Sequence, residues 1–309
     1  MHVAVYLLLL LPLLAAVSAR WITDRLPPRA ATWLLTTSAL ALAAASGIAL
    51  TALAATAIGQ IPLVAELGHW SVRALRRDDP ASLSIALIAC VALAAALIAA
   101  GRGAVSRVRA LITAARTARC LPASEAVTVL DDPEPDAYAL PGRPGRIVVS
   151  TGMLKALDDR EQDVLLAHER AHVRCGHHFF VAATHIAAAT NPLLRPLDRA
   201  VRYAVERWAD EHAAAEVGNR RLVATTIGKA ALLAPSRQPI PGALAISGAA
   251  LRRSGPIPRR VAALFAAPPR RGRVLLAVTF AVLAVAAAAS VETARDLHIL
   301  FELAQAGRP

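Results

Sequence analysis

Val164-Leu165-Leu166-Ala167-His168-Glu169-Arg170-Ala171-His172-Val173 is the stretch from which the rest of the chain can be read. Just upstream, Asp158 and Glu161 have the form of a capping box, which predicts a helix over about 160–174. His168 and His172 are four residues apart, so on that helix both imidazoles lie on one face, one turn from each other. Two ring nitrogens placed in this way can grip one ion. Zn²⁺ suits imidazole and accepts a tetrahedral geometry that leaves a corner open for water. Glu169, which follows the first His, is placed to take a proton from that water.

His-Glu-x-x-His on a helix is the pattern of zinc-dependent peptide hydrolysis, and it asks for a third protein ligand. Downstream, Glu206 and Asp210 are again four apart on a predicted helix over about 196–217. Glu206 is expected to complete a His₂Glu set, and Asp210 to accept the free ring N–H of His168 or His172. His178 is a rival ligand by spacing. The alternative pattern it would complete needs a glycine at 175, where this chain has Cys175, with Gly176 one place late. His177 and His178 are therefore expected at a helix surface or an interface, and Cys175 as a small apolar filler. Tyr203, Arg202 and His212 are candidates for a second oxyanion donor, with none singled out.

Composition places this site in a membrane protein. Of 309 residues 56% are hydrophobic and 18% charged, with mean hydropathy +0.48 and net charge +12. A soluble domain of this size carries about a quarter charged residues, so the composition argues against a purely soluble enzyme and excludes a disordered chain. Apolar runs without an interior Asp, Glu, Lys or Arg lie at about 2–19, 31–58, 83–100 and 274–292, each near bilayer-spanning length. The first could be a secretory signal ending at Ala16-Val17-Ser18-Ala19. Its leading end carries only His2, so an uncleaved span is preferred. The absence of ionisable residues inside the spans argues against a metal transporter. Arg102, Arg107, Arg109, Arg116 and Arg119 follow the third span, and Arg259, Arg260, Arg270, Arg271 and Arg273 precede the fourth. Positive charge on both flanks places the segment 101–273 in the cytoplasm and both termini outside, with 293–309 a short extracytoplasmic tail. The basic flanks are expected to meet anionic lipid headgroups. With aromatics at 4% no stacking platform for nucleic acid is evident, so no direct nucleic-acid binding is expected. Cys90, Cys120 and Cys175 form no disulfide framework.

Within 101–273 the reading is mixed α and β. A basic helix is expected at 105–118, a Pro- and Asp-rich loop at 131–137, and a strand at Arg146-Ile147-Val148-Val149-Ser150. Three helices follow, over about 160–174, 177–190 and 196–217, with a break at Asn191-Pro192. Residues 234–258 read as irregular.

The combination of His168-Glu169-x-x-His172 with Glu206-x-x-Ala209-Asp210 resembles the gluzincin membrane peptidases of the HtpX and CAAX prenyl protease type. It is most similar to their BlaR/MecR-type antirepressor relatives. Tyr138-Ala139-Leu140-Pro141-Gly142, Ile147-Val148-Val149-Ser150-Thr151-Gly152 and Asn191-Pro192-Leu193 are similar too, as is the layout of three spans before the domain and one after. Asp136-Ala137-Tyr138-Ala139 departs from the usual Asn-Ala-Phe-Ala. The extracellular penicillin-binding sensor is replaced by the tail 293–309 alone, which argues against β-lactam sensing. The resemblance implies a mainly α membrane protein with four transmembrane helices and a cytoplasmic α+β zincin-type metallopeptidase domain. It implies an endopeptidase of the cell membrane with Zn²⁺ on His168, His172 and Glu206, Glu169 as the catalytic base, and a substrate strand added along Ile147, Val148 and Val149. The substrate it implies is a cytoplasmic repressor of the BlaI type. Membrane-protein quality control of the HtpX type, or a non-catalytic receptor, is the alternative.

Overall fold

A computed structural model describes residues 2–78, 83–120, 127–142, 145–233, 244–245, 257–267 and 272–306. The expected irregular stretch 234–258 lies mostly outside the described residues. Among the described residues four helices are long and apolar enough to cross a membrane: α1 (His2–Arg25), α2 (Pro28–Gly59), α5 (Leu83–Cys120) and α12 (Arg273–Ala306). Two short helices, α3 (Pro62–Gly68) and α4 (Val72–Asp78), lie between α2 and α5. The third span and the basic segment 105–118 form one unbroken helix, α5, and the fourth span and the tail form another, α12. No Pro lies inside α5 or α12, and Ala-rich sequence favours continuation. In the most apolar stretch of α5 and α12 only 11% is buried, against 33% in α1 and 50% in α2. The outer pair thus presents exposed apolar surface compatible with a lipid bilayer, while α2 is central. The tail of α12 packs on α4 through Leu75, Leu300 and Ala304, and Ser71 donates to the Ala304 carbonyl at 2.8 Å. The 60–78 connection and the tail therefore sit on one side of the spans.

Between α5 and the metal-pattern helix lies a small sheet of β1 (Val127–Leu130), β2 (Ala137–Leu140), β3 (Arg146–Ser150) and the two-residue β4 (Leu244–Ala245), in the order β1-β3-β2-β4. β1 runs parallel to β3, and β2 antiparallel to both β3 and β4. The expected placement of Ile147, Val148 and Val149 at a substrate-accepting edge is corrected here: β3 is paired on both sides. All five of its residues are buried, and the apolar run Ile147-Val148-Val149 at its centre, which does not alternate, suits a strand covered on both faces. β2 lies closer to the edge that adjoins the metal-pattern helix. The loop 131–136 crosses over the end of β3 so tightly that a Cβ at Gly152 would sit 2.1 Å from the Pro133 carbonyl oxygen.

Among the described residues there are also the helices α6 (Thr151–Ala156), α7 (Asp159–Arg174), α8 (His177–Thr190), α9 (Arg195–Val217), α10 (Arg220–Leu233) and α11 (Ile257–Phe265). α7 opens on the expected capping box: Asp158 accepts from the Glu161 N–H at 2.8 Å and Glu161 accepts from the Asp158 N–H at 3.0 Å. α8 and α9 do not stand apart from the spans. Leu197, Val201 and Val205 of α9 and Phe180 and Val181 of α8 share one core with Leu8 and Ile22 of α1 and Leu35 and Leu42 of α2. Burial of that core fixes α9, and with it Glu206, against α1 and α2.

A buried metal-ligand cluster

α7 and α9 pack side by side and bring the two i, i+4 pairs together. His168, Glu169 and His172 have no solvent exposure, and Glu206 and Asp210 are 4% and 1% exposed. The Nε2 atoms of His168 and His172 are 3.1 Å apart. Glu206 Oε2 is 3.7 Å from His168 Nε2, and Glu206 Oε1 is 3.7 Å from His172 Nε2. His168, His172 and Glu206 form a group whose ligand atoms all lie within 4.8 Å of one another. Tetrahedral zinc with ligand bonds near 2.1 Å requires ligand atoms about 3.4 Å apart, so the spacing of the three fits that ion.

The far nitrogens of the two rings are also engaged. Asp210 Oδ1 lies 3.0 Å from His168 Nδ1, and His177 Nδ1 lies 2.9 Å from His172 Nδ1. With its N–H turned outward to His177, the His172 ring presents a lone pair toward the point that the three ligands surround, and His168 offers one there once its Nε2 proton has left.

Arg260 of α11 closes the other side. Its guanidinium, 1% exposed, donates from Nε to Asp210 Oδ2 at 2.8 Å and from Nη2 to Asp210 Oδ1 at 2.6 Å. Nη1 lies 2.9 Å from Glu206 Oε2. One buried cation thus clamps both carboxylates of α9.

The electrostatics follow from these contacts. Burial pushes the Glu206 carboxyl up, but the Arg260 charge, followed by His168 and His172, overrules it and holds the group at about 2. Asp210 is held well below the ordinary carboxylate range for the same reason, against its own burial. Burial lowers the His168 imidazolium, yet its hydrogen bonds to Asp210 and Glu206 carry it up to about 9. His172, whose outer partner is a neutral ring, follows burial down to about 3. His177 goes down to about 2, first through burial and then through the neighbouring His172.

Two of these participants escaped the sequence reading. Arg260 looks like one more basic residue flanking the fourth span, and it lies 50 residues from Asp210 in the chain. His177, expected at a surface or interface, is fully buried. The turn that seemed to lack its glycine is made by Gly176 in the left-handed conformation (φ 63°), and it swings His177, not His178, back onto His172. Among the described residues His178 is not part of the ligand group and stacks against Phe179. Of the oxyanion candidates, Arg202 is paired with Asp198 at 3.1 Å and Tyr203 is buried under Arg259. The residues next to the clamp are anchored on α1: Arg207 donates to the Thr23 carbonyl at 2.7 Å and Arg259 pairs with Asp24.

Residues 104–187 match the family model of peptidase family M48. This match supports an M48 family metallopeptidase, and such an enzyme hydrolyses peptide substrates. The M48 stretch runs from within α5 through the sheet and α7 into α8. It contains His168, Glu169 and His172 but ends before α9 and α11, so Glu206, Asp210 and Arg260 join the site on the geometry alone. No curated protein and no solved structure matches the chain.

Proposed function

We propose that this protein is an integral-membrane zinc endopeptidase whose site faces the cytoplasm. The observation that carries the proposal is the convergence of His168, His172 and Glu206 from two helices on one point, with Glu169 beside the first ligand. When bound there, zinc supplies Lewis acidity that polarises a carbonyl and brings the pKa of water toward about 7. Glu169 takes a proton from the attacking water and delivers it to the departing amine. Asp210 and Arg260 hold the ligands in place. The substrate is placed as a strand along β2, the strand nearest α7, after displacing Leu244–Ala245, which pair with β2 here. Because His168, Glu169 and His172 have no exposure, turnover requires an opening that admits the peptide.

The arginines flanking 101–273 support the cytoplasmic placement. The span layout and the residue resemblance support regulatory cleavage of a cytoplasmic repressor of the BlaI type. One observation favours a second reading, quality control of membrane proteins: α9 packs on α1 and α2, which puts the site beside the bilayer. The test uses the full chain in detergent with an unfolded fluorogenic protein as probe. Wild type should cleave it, a chelator should stop cleavage and zinc restore it, and Glu169→Gln should keep zinc while losing cleavage. Undiminished cleavage by Glu169→Gln, or wild type with no affinity for zinc, overturns the reading. Co-expression with a BlaI-type repressor and, separately, with a misfolded membrane protein tells the two substrate classes apart.

A further inference from the structure

His177 has a place in the site that neither the family match nor the motif assigns. It is the first residue of α8, held by the Gly176 turn, with no solvent exposure. Its Nδ1 is 2.9 Å from His172 Nδ1, with the two rings at 86°. On its other side lies the Trp208 ring, at 4.8 Å between centroids, from the same helix as Glu206 and Asp210. His177 Nε2 has no hydrogen-bond partner among the described residues.

Two imidazole nitrogens at that distance must be one donor and one acceptor. His172 Nε2 points at His168 and Glu206, and as a metal ligand it must offer a lone pair there. Its proton therefore sits on Nδ1, His177 Nδ1 is the acceptor, and His177 carries its own proton on Nε2. We propose that His177 is a positioning residue of the metal centre: it accepts the His172 Nδ1–H and so fixes the ring that presents Nε2 to zinc.

Charge explains why the partner is a ring when His168 has a carboxylate. The buried carboxylates of Glu169, Glu206 and Asp210 are balanced by the two charges of zinc and the one of Arg260. A further carboxylate at position 177 would leave a buried charge uncompensated, which a neutral imidazole does not.

The inference rests on the zinc reading above, and its test separates the two. Zinc affinity is measured on the full chain in detergent by competition with a chromophoric chelator. Phe in His177→Phe keeps a ring against Trp208 but has no acceptor, and the Kd should rise about 10–100-fold. His177→Gln offers an amide oxygen and should recover most of that loss. Wild type without zinc affinity refutes the zinc reading. Tight wild-type binding that His177→Phe leaves within twofold, or equal losses in Phe and Gln, refutes the role of His177 alone. Should His177→Phe not fold, ¹⁵N NMR of histidine-labelled, zinc-loaded wild type decides: the proton of His177 must be on Nε2, and its appearance on Nδ1 overturns the proposal.

Discussion

Replacing Arg260 by Met keeps most of the side-chain stem and removes the charge that clamps α9. Three contacts disappear, at 2.6, 2.8 and 2.9 Å, and Glu206 and Asp210 are left facing each other in a buried site. Breaking a buried ion pair by removing one partner costs about 3–5 kcal/mol. Burial pushes the Glu206 carboxyl up, and the Arg260 charge leads the influences that hold it at about 2 instead. Both carboxylates have folded-state pKa values below their unfolded ones. Their stabilisation is therefore complete above the ordinary carboxylate range and is lost as pH falls toward 2. Metal-free Arg260→Met at pH 7 should melt about 6–20 °C below wild type, and the gap should narrow as pH drops below about 4. Added zinc should restore part of the loss by supplying positive charge at the same carboxylate. The assay is intrinsic fluorescence during heating of the detergent-solubilised chain. A melting point within 2 °C of wild type at neutral pH, or a gap that widens on acidification, would show that Arg260 is not the clamp described here.

Zinc binding should displace about one proton at pH 7, because His168, carried to about 9 by Asp210 and Glu206, is protonated before the metal arrives, while His172 at about 3 is not. Affinity should accordingly rise with pH up to about 9, and calorimetry in buffers of different ionisation enthalpy reads the proton count directly. Gly152→Ala should destabilise the sheet by at least about 1–3 kcal/mol, since the new Cβ would meet the Pro133 carbonyl at 2.1 Å; an unchanged melting point would contradict the close crossing. Reporter fusions should find residues near 234 on the cytoplasmic side and residues near 70 and 306 on the opposite side, and a shared side for 234 and 306 would refute the span count.

The i, i+4 geometry that puts His168 over His172 and Glu206 over Asp210 is local, so the sequence alone was enough to pick out both halves of the cluster, the capping box at Asp158 and the long apolar runs. The start of α7 and the break between α8 and α9 were legible because the capping box and Asn191-Pro192 mark them, whereas the turn at Gly176 was read as one place late. The short strands β1 and β2 were not, because four residues carry too little periodicity to stand out from loop. Whether β3 was an edge or an interior strand depended on what paired with it, and its own residues could show only that it would be buried. Arg260 and His177 join the site through contacts between helices. A basic run reads alike whether it faces lipid or a buried carboxylate, and a histidine after a turn reveals its neighbour only once Gly176 has set the direction of α8. Local spacing thus determined which side chains are able to bind one ion, and the packing of α9 between α7 and the spans decided that they meet.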